Sequence, residues 1–464
     1  MNDNSFRTER DSLGDLKVPA QAWYGAQTAR AVANFPISGR GPDRDFILAH
    51  VRVKRAAAVA NQQCGQLEAR LAHAITTACD EILAGNHLEQ FVVDRFQAGA
   101  GTSHNMNSNE VIANLANATL GADRGTYHPV HPNDHVNMGQ STNDTIPTAI
   151  RLAALAKLPR LIDAVRNMAS EYARIGAREV DTVKSARTHL QDAVPTTVGR
   201  EFNAYAWTLK RCTERLQETH LPLCDIGLGG SAAGTGINTA PGYAEKVAAE
   251  LAQLSDEPLR SAPDLVAQMQ SMLDLQNLSN AIRALTLELT RIANDMRLLA
   301  SGPRTGLGEI SLPAVQPGSS IMPGKVNPVM FEMLNRVCYQ VQGQDHAIAL
   351  MTQAGQLELN VMMPALGSAL FDAMDWLTNA INAATTLNLT GLAVDRERCK
   401  NFLHTSVALA TLLNPSIGYE QAAKIAQESE KTGRPVRDIV AARGLMTHDA
   451  FDALVLKSAR EEPL

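Results

Sequence analysis

The stretch IRALTLELTRIANDMRLL, residues 282–299, decides the fold class. Its apolar positions Ile282, Leu285, Leu289, Ile292, Met296 and Leu299 alternate at spacings of three and four. That spacing puts them on one face of a helix, and its near-heptad form calls for lengthwise packing at shallow angles, as in helix bundles. Phe202, Tyr205, Leu209, Cys212 and Leu216 repeat the pattern, and Leu370, Met374, Leu377, Ile381 and Ala384 do so again. Helices of about 20 residues or more run roughly 30 Å. A bundle this elongated has lateral surface to spare for subunit association. The expected fold is all-α.

Working outward, the long-helix pattern holds over residues 141–395, which read as a central bundle domain. Residues 1–140 mix shorter segments with turns and carry Pro19, Pro36, Pro42, Pro129 and Pro132. Helices are predicted there near 44–65, 67–84 and 105–120. Beyond residue 395 the segments shorten around Asn414-Pro415, Gly418 and Thr432-Gly433-Arg434-Pro435, so residues 396–464 read as a small helical domain. Three parts also suit a chain of 464 residues.

The net charge of -6 gives no footprint for nucleic acid or an anionic membrane. No apolar signal core opens the chain, and no run of about 18 apolar residues occurs. The six cysteines stand far apart and form no CxxC pair, which points to free thiols and a cytoplasmic location.

Between two of the long helical segments lies Gly318-Ser319-Ser320-Ile321-Met322-Pro323-Gly324-Lys325-Val326-Asn327-Pro328. Two glycines and two prolines exclude a helix or central strand. The loop offers hydroxyls, an ammonium, a carboxamide and backbone N–H groups with no carboxylate, a set suited to holding an anion. An ordinary surface turn is the alternative reading. Three other polar stretches invite the same question. Gly99-Ala100-Gly101-Thr102-Ser103-His104 reads as a loop entering a helix N-terminus, where anions bind, or as a plain cap. Gln140-Ser141-Thr142-Asn143-Asp144 and Arg187-Thr188-His189-Leu190-Gln191-Asp192 precede long helices and fit caps and turns. His128, His131 and His135 are broken by prolines and read as a turn rather than a zinc site. The glycine-rich run Gly227–Gly236 has no βαβ context for a dinucleotide, so no cofactor and no metal are expected.

Taken together, GSSIMPGKVNP, the Ser-Thr-Asn-Asp stretch and the Arg-Thr-His-Leu-Gln-Asp stretch resemble the fumarase/aspartase superfamily, in the family's order along the chain. The resemblance implies a lyase that eliminates a group β to a carboxylate and releases fumarate. It implies a homotetramer with a shared central helical bundle, whose composite sites draw these segments from different subunits. Residue by residue, it makes Ser319 the general base. Lys325, Asn327, Thr188 and the loop N–H groups would hold the substrate carboxylate, Thr102, Ser141 and Thr142 the other polar groups, and Asn143 the leaving group, with Ser320 among the substrate-binding residues. His189 is implied near the carboxylate or leaving group. The Gly227–Gly236 run also resembles a family segment, where close backbone packing is expected.

Within the family, Ala100, Ser103, Thr142, Asp192-Ala193-Val194-Pro195 and the run Ala354–Met362 lean toward aspartases, which act on an amino acid, over fumarases, which act on a hydroxy dicarboxylate. Met363, Ala186 and His104 depart from the family pattern and leave a substituted aspartate open as substrate. The intact Ser319, Lys325, Asn327, Thr188, His189 and Asn143 argue against a non-catalytic scaffold.

Overall fold

The computed structural model describes residues 5–460. Helix makes up 63% of the chain, and sheet is limited to short pairs. The chain opens with an antiparallel hairpin, β1 (Phe6–Asp11) and β2 (Gly14–Pro19), then α1 (Ala26–Asn34), α2 (Arg44–Gln63), α3 (Ala69–Leu83) and α4 (Thr102–Thr119). The first long helix is α5 (Thr142–Arg178), followed by a second hairpin, β3 (Val183–Thr188) and β4 (Gln191–Thr197). Next come α6 (Val198–Glu218), the single turn α7 (His220–Leu223), β5 (Asp225–Ile226), α8 (Tyr243–Ser255), β6 (Arg260–Ser261) and α9 (Leu265–Gln270). The remaining long helices are α10 (Leu273–Leu299), α11 (Val329–Gln353) and α12 (Met363–Ala384), with β7 (Ile310–Ser311) between the first two. After β8 (Ala393–Val394) the chain ends in α13 (Arg396–Thr405), α14 (Asn414–Ile417), α15 (Tyr419–Thr432), α16 (Val436–Ala442) and α17 (His448–Arg460).

The apolar stripes read from the sequence are all buried: Leu209, Leu216, Leu285, Leu370, Leu377 and Ile381 have no exposed surface. Local chemistry sets the ends. Asp43 caps α2 by accepting from the backbone N–H groups of Asp45 and Phe46, and Asp264 caps α9 through Val266 and Ala267. No helix among the described residues is long and apolar enough to cross a membrane. All six cysteines are unpaired, and five are buried.

One local reading needs correction. Arg187–Asp192, read as cap and turn, is the tip and flanks of the β3–β4 hairpin. His189 and Leu190 take φ of 54° and 60° there, so both central residues of a two-residue turn are left-handed. Such turns match the twist of the flanking strands. The usual asparagine and glycine signal is missing, which hid the hairpin.

The chain divides into two compact units. Unit one holds the chain up to Leu161, Arg215–Arg283 and Gln340–Trp376; unit two holds Ile162–Glu214, Ala284–Tyr339 and Leu377 onward. In unit one, α2, α3 and α4 share a core that includes Val51, Ile75, Cys79, Ile82 and Ile112. In unit two, the helices after residue 396 pack around Leu403, Leu409, Ile425, Ile439 and Phe451.

Candidate active site

In unit two, the Gly318–Asn327 loop is closed by its own backbone. Gly318 N–H donates to Lys325 O at 2.8 Å, and Asn327 Nδ2 donates to Gly318 O at 2.7 Å. A Cβ on Gly318 would lie 2.3 Å from Lys325 O, so only glycine permits this closure. Within the loop, Ser319 Oγ accepts from the backbone N–H groups of Met322 at 3.0 Å and Ile321 at 3.2 Å. Ser319 makes this pair of bonds and Ser320 does not. The loop borders an open hollow of about 470 Å³ lined by Ser319, Met322, Lys325 and their neighbours. Residues 320–326 are exposed.

Also in unit two, Thr188 and His189 stand exposed at the hairpin tip. Strand β3 is fixed by charge. Glu309, 1% exposed, receives Arg187 Nη2 at 2.6 Å and Lys184 Nζ at 2.8 Å. Burial alone would raise the Glu309 carboxyl, but the two cations outweigh it and hold it below the usual range. Ala186, the departure from the family's glycine, sits where the strand register shifts between Ser185 and Arg187. Its φ is not positive, so alanine fits.

In unit one, two helix N-termini lie side by side. Ala100 and Gly101 turn the chain with φ of 61° and 91° into α4, which begins at Thr102, while Ser141 precedes α5. Asn105 Nδ2 donates to Thr142 Oγ1 at 3.2 Å, and a Cβ on Gly101 would press on the Ile146 side chain at 3.1–3.2 Å. Helix-dipole ends of like sign make this a place for anionic or strongly polar groups. Ser141 N–H donates to Asp144 Oδ1, and Asn143 N–H to Ser141 Oγ, a reciprocal cap.

Asp144 also accepts from the backbone of Gly229 at 3.1 Å and Ser231 at 2.9 Å, and Asn143 Nδ2 donates to Ala232 O. The glycine-rich run is thus tied to the start of α5. Its backbone packing is close, as expected: a Cβ on Gly229, Gly230 or Gly234 would meet a neighbour at 2.5–2.6 Å. Burial raises Asp144 to about 7 even though three N–H groups favour its charged form.

The sequence reading missed the residue beneath this corner. Lys54 is wholly buried and donates to Asn105 Oδ1 at 2.6 Å and to Asn137 Oδ1 and Gln140 Oε1 at 3.0 Å. Burial lowers it to about 7, with Asp144 pulling the other way. The signal was present: Lys54 continues the stripe Ile47, Val51, Lys54, Ala58 on the buried face of α2. A cation at a core position needs several acceptors.

The other departures prove to be core residues. Met363 has no exposed surface, and His104 is equally buried, stacked on Phe46 at 4.6 Å and beside His50 at 5.0 Å. Neither reaches a surface where a substrate could bind. The aspartase-like run Ala354–Met362 returns to the turn that leads into α4 instead, with Ala100 N–H donating to Val361 O at 2.8 Å. The histidines near 130 form a turn in which the His131 ring caps the backbone of Asn133 and Asp134.

The structure therefore gathers Ser319, Ser320, Lys325 and Asn327 in one loop and sets Thr188 and His189 on one hairpin tip, all in unit two. It gathers Thr102, Ser141, Thr142 and Asn143 at the paired helix starts of unit one.

Residues 14–343 match the family model described as Lyase, and residues 409–457 match that of the fumarase C C-terminus. An aspartate ammonia-lyase of a Bacillus species is 44% identical over 97% of this chain and 96% of its own. A class II fumarate hydratase of Ralstonia nicotianae is 43% identical over 97% and 98%. The crystal structure titled fumarate lyase:delta crystallin from Brucella melitensis bound to cobalt superimposes with a TM-score of 0.95 at 43% identity, covering 98% of this chain and 99% of that one. With its all-α fold and its matched loops, this chain is a lyase of the fumarase/aspartase superfamily.

Proposed function

We propose that this lyase is an aspartate ammonia-lyase, converting L-aspartate reversibly to fumarate and ammonia. The reading rests on one observation above others: Ser319 Oγ receives two backbone N–H groups in a hollow that Lys325 also lines. A serine hydroxyl is far too weak an acid to serve as a base unless its alkoxide is stabilised, and aimed N–H donors beside an ammonium do that. In the proposed reaction the Ser319 alkoxide takes the proton from the carbon next to the distal carboxylate. The electron pair moves into that carboxylate, giving a doubly charged aci-carboxylate. Lys325, Asn327, Thr188 and Ser320 donate to it, and the pair then returns to form the double bond as ammonia leaves. Thr102, Ser141, Thr142 and Asn143 hold the other carboxylate and the amine, with His189 beside them.

The same proposal includes a homotetramer that completes each site with segments of several subunits. Large apolar side chains exposed on the long helices support it, among them Trp207 on α6, Leu287 on α10 and Tyr339 on α11. It also keeps the division at residues 140 and 395, with the separate cores above as support.

A second reading is favoured by the fumarate hydratase relative, which is about as similar as the aspartate ammonia-lyase. The two differ in the leaving group, so the test offers L-aspartate and L-malate separately and follows fumarate absorbance in the ultraviolet. Turnover of aspartate alone is expected. Turnover of malate alone would make the protein a fumarase, and turnover of neither would direct the search to substituted aspartates.

A further inference from the structure

Away from the residues assigned to elimination, unit one carries a side-chain cluster with the donor set of a metal centre. The single turn α7 places His220 and Cys224, four residues apart, on one side of the chain. Glu257 arrives from the end of α8, where Asp256 takes a left-handed φ of 56° and turns the backbone. The parallel pairing of Asp225 with Arg260, and the bond from Arg260 N–H to Cys224 O at 3.0 Å, hold that returning segment against Cys224. One ligand atom from each of His220, Cys224 and Glu257 lies within 4.8 Å of the others, and His220 Nε2 sits 2.7 Å from Glu257 Oε2. No other such trio occurs among the described residues.

We propose that His220, Cys224 and Glu257 bind a thiophilic divalent cation of the zinc and cadmium class, leaving a fourth position for water. A tetrahedral ion of this class needs ligand atoms roughly 3.5 Å apart, so side-chain adjustments of about 1 Å suffice. Imidazole, thiolate and carboxylate form a borderline-soft set that suits zinc or cadmium better than magnesium or calcium. The thiol proton leaves to solvent as the metal–sulfur bond forms, and the thiolate and carboxylate then balance the charge of the ion. Two guanidinium groups stand near, but each is already compensated: Arg260 by Asp225 at 2.5 Å and Arg151 by Asp274 at 2.8 Å. Entry is open, since the His220 side chain is 32% exposed and that of Glu257 is 19% exposed.

The position has a structural consequence. Cys224 lies three residues before the glycine-rich run whose Gly229 and Ser231 N–H groups hold Asp144. An ion on Cys224 fixes the entry to that run and raises thermal stability by mass action.

The test uses the full chain, freed of metal by chelator and titrated with cadmium, with the near-ultraviolet cadmium–thiolate absorbance as readout. The expected result is one equivalent per chain, a band abolished by Cys224→Ser and kept in Cys64→Ser, which removes the one cysteine of the six that is not buried. Should Cys224→Ser not fold, His220→Gln and Glu257→Gln carry the same test, each weakening cadmium by more than about tenfold. A band absent from the parent, kept in Cys224→Ser, lost in Cys64→Ser, or undiminished in both His220→Gln and Glu257→Gln would overturn the site.

Discussion

Gly318–Asn327 and Ser141–Asp144 look alike as sequence, both turns crowded with hydroxyls and amides, yet they are built in opposite ways. The bonds of the first stay within it: Gly318 to Lys325, Asn327 to Gly318, and Ser319 to the next two N–H groups along. The bonds of the second reach far along the chain, to Asn105, Gly229, Ser231 and Ala232. Ser320–Val326 is exposed, whereas Thr142 and Asp144 are buried. A polar group whose partners are all local can change its protonation or its contacts without disturbing the fold. One whose partners are distant cannot. Counting donors does not separate the two kinds; asking where each bond goes does.

The sharpest way to break this contrast is to remove one hydroxyl from the exposed loop. Ser319→Ala is expected to lower turnover by about 10²–10⁴, the range for loss of a general base. Its thermal midpoint should stay within about 2 °C of the parent, because its bonds serve no distant element. Ser320→Ala, lacking the two N–H partners, should cost less than about tenfold. Fumarate absorbance and thermal melts of the two variants decide it: equal losses of turnover would mean the two N–H groups do not mark the base.

The buried turn predicts the reverse. Asp144→Ala strips the N–H groups of Ser141, Gly229 and Ser231 of their acceptor inside the protein, at about 1–3 kcal/mol for each donor left unpaired. A loss of about 3 kcal/mol or more in urea unfolding at fixed chain concentration is expected. Asp144→Asn keeps one oxygen and should fall between. A parent-like stability for Asp144→Ala would show that water replaces the carboxylate and that the turn is less closed than its burial indicates.

The long helices were legible because their apolar stripes recur at helical spacing, and every stripe position named from the sequence lies buried. The Gly318–Asn327 loop was legible as a break in that pattern. The hairpin that carries Thr188 and His189 was not, because its turn uses His189 and Leu190 at positive φ, where sequence rules look for asparagine or glycine. Glu309 and Lys54 were missed for a different reason. Their roles come from partners distant in sequence, Lys184 and Arg187 for one, and Asn105, Asn137 and Gln140 for the other. His104 and Met363 stood out as departures near the chemistry, and burial reassigns both to the core.

The smallest effect tests that reassignment through pH. His104 is wholly buried, neither ring nitrogen has a partner, and burial lowers it to about 3, with Lys54 adding to the shift. His50 beside it is lowered for the same first reason. The unfolded histidine takes a proton near 6.5, whereas the folded one stays neutral down to about 3. Stability contributed by the neutral ring is therefore complete above pH 6.5 and is lost as pH falls, at up to about 1.4 kcal/mol per unit. Asp144 acts with the opposite sign over part of this window, because its folded carboxyl, raised to about 7, holds a proton that the unfolded one has released. The parent curve alone thus mixes His104 with His50 and Asp144. His104→Phe removes one of them, since a phenyl ring fills the place stacked on Phe46 and brings no nitrogen to protonate. Relative to the parent, this variant should gain about 2 kcal/mol on going from pH 8 to pH 5, read as the widening gap between the two urea curves. A gap that stays constant would mean that His104 finds water or a partner for its proton, and would return it to the surface chemistry from which its burial removes it.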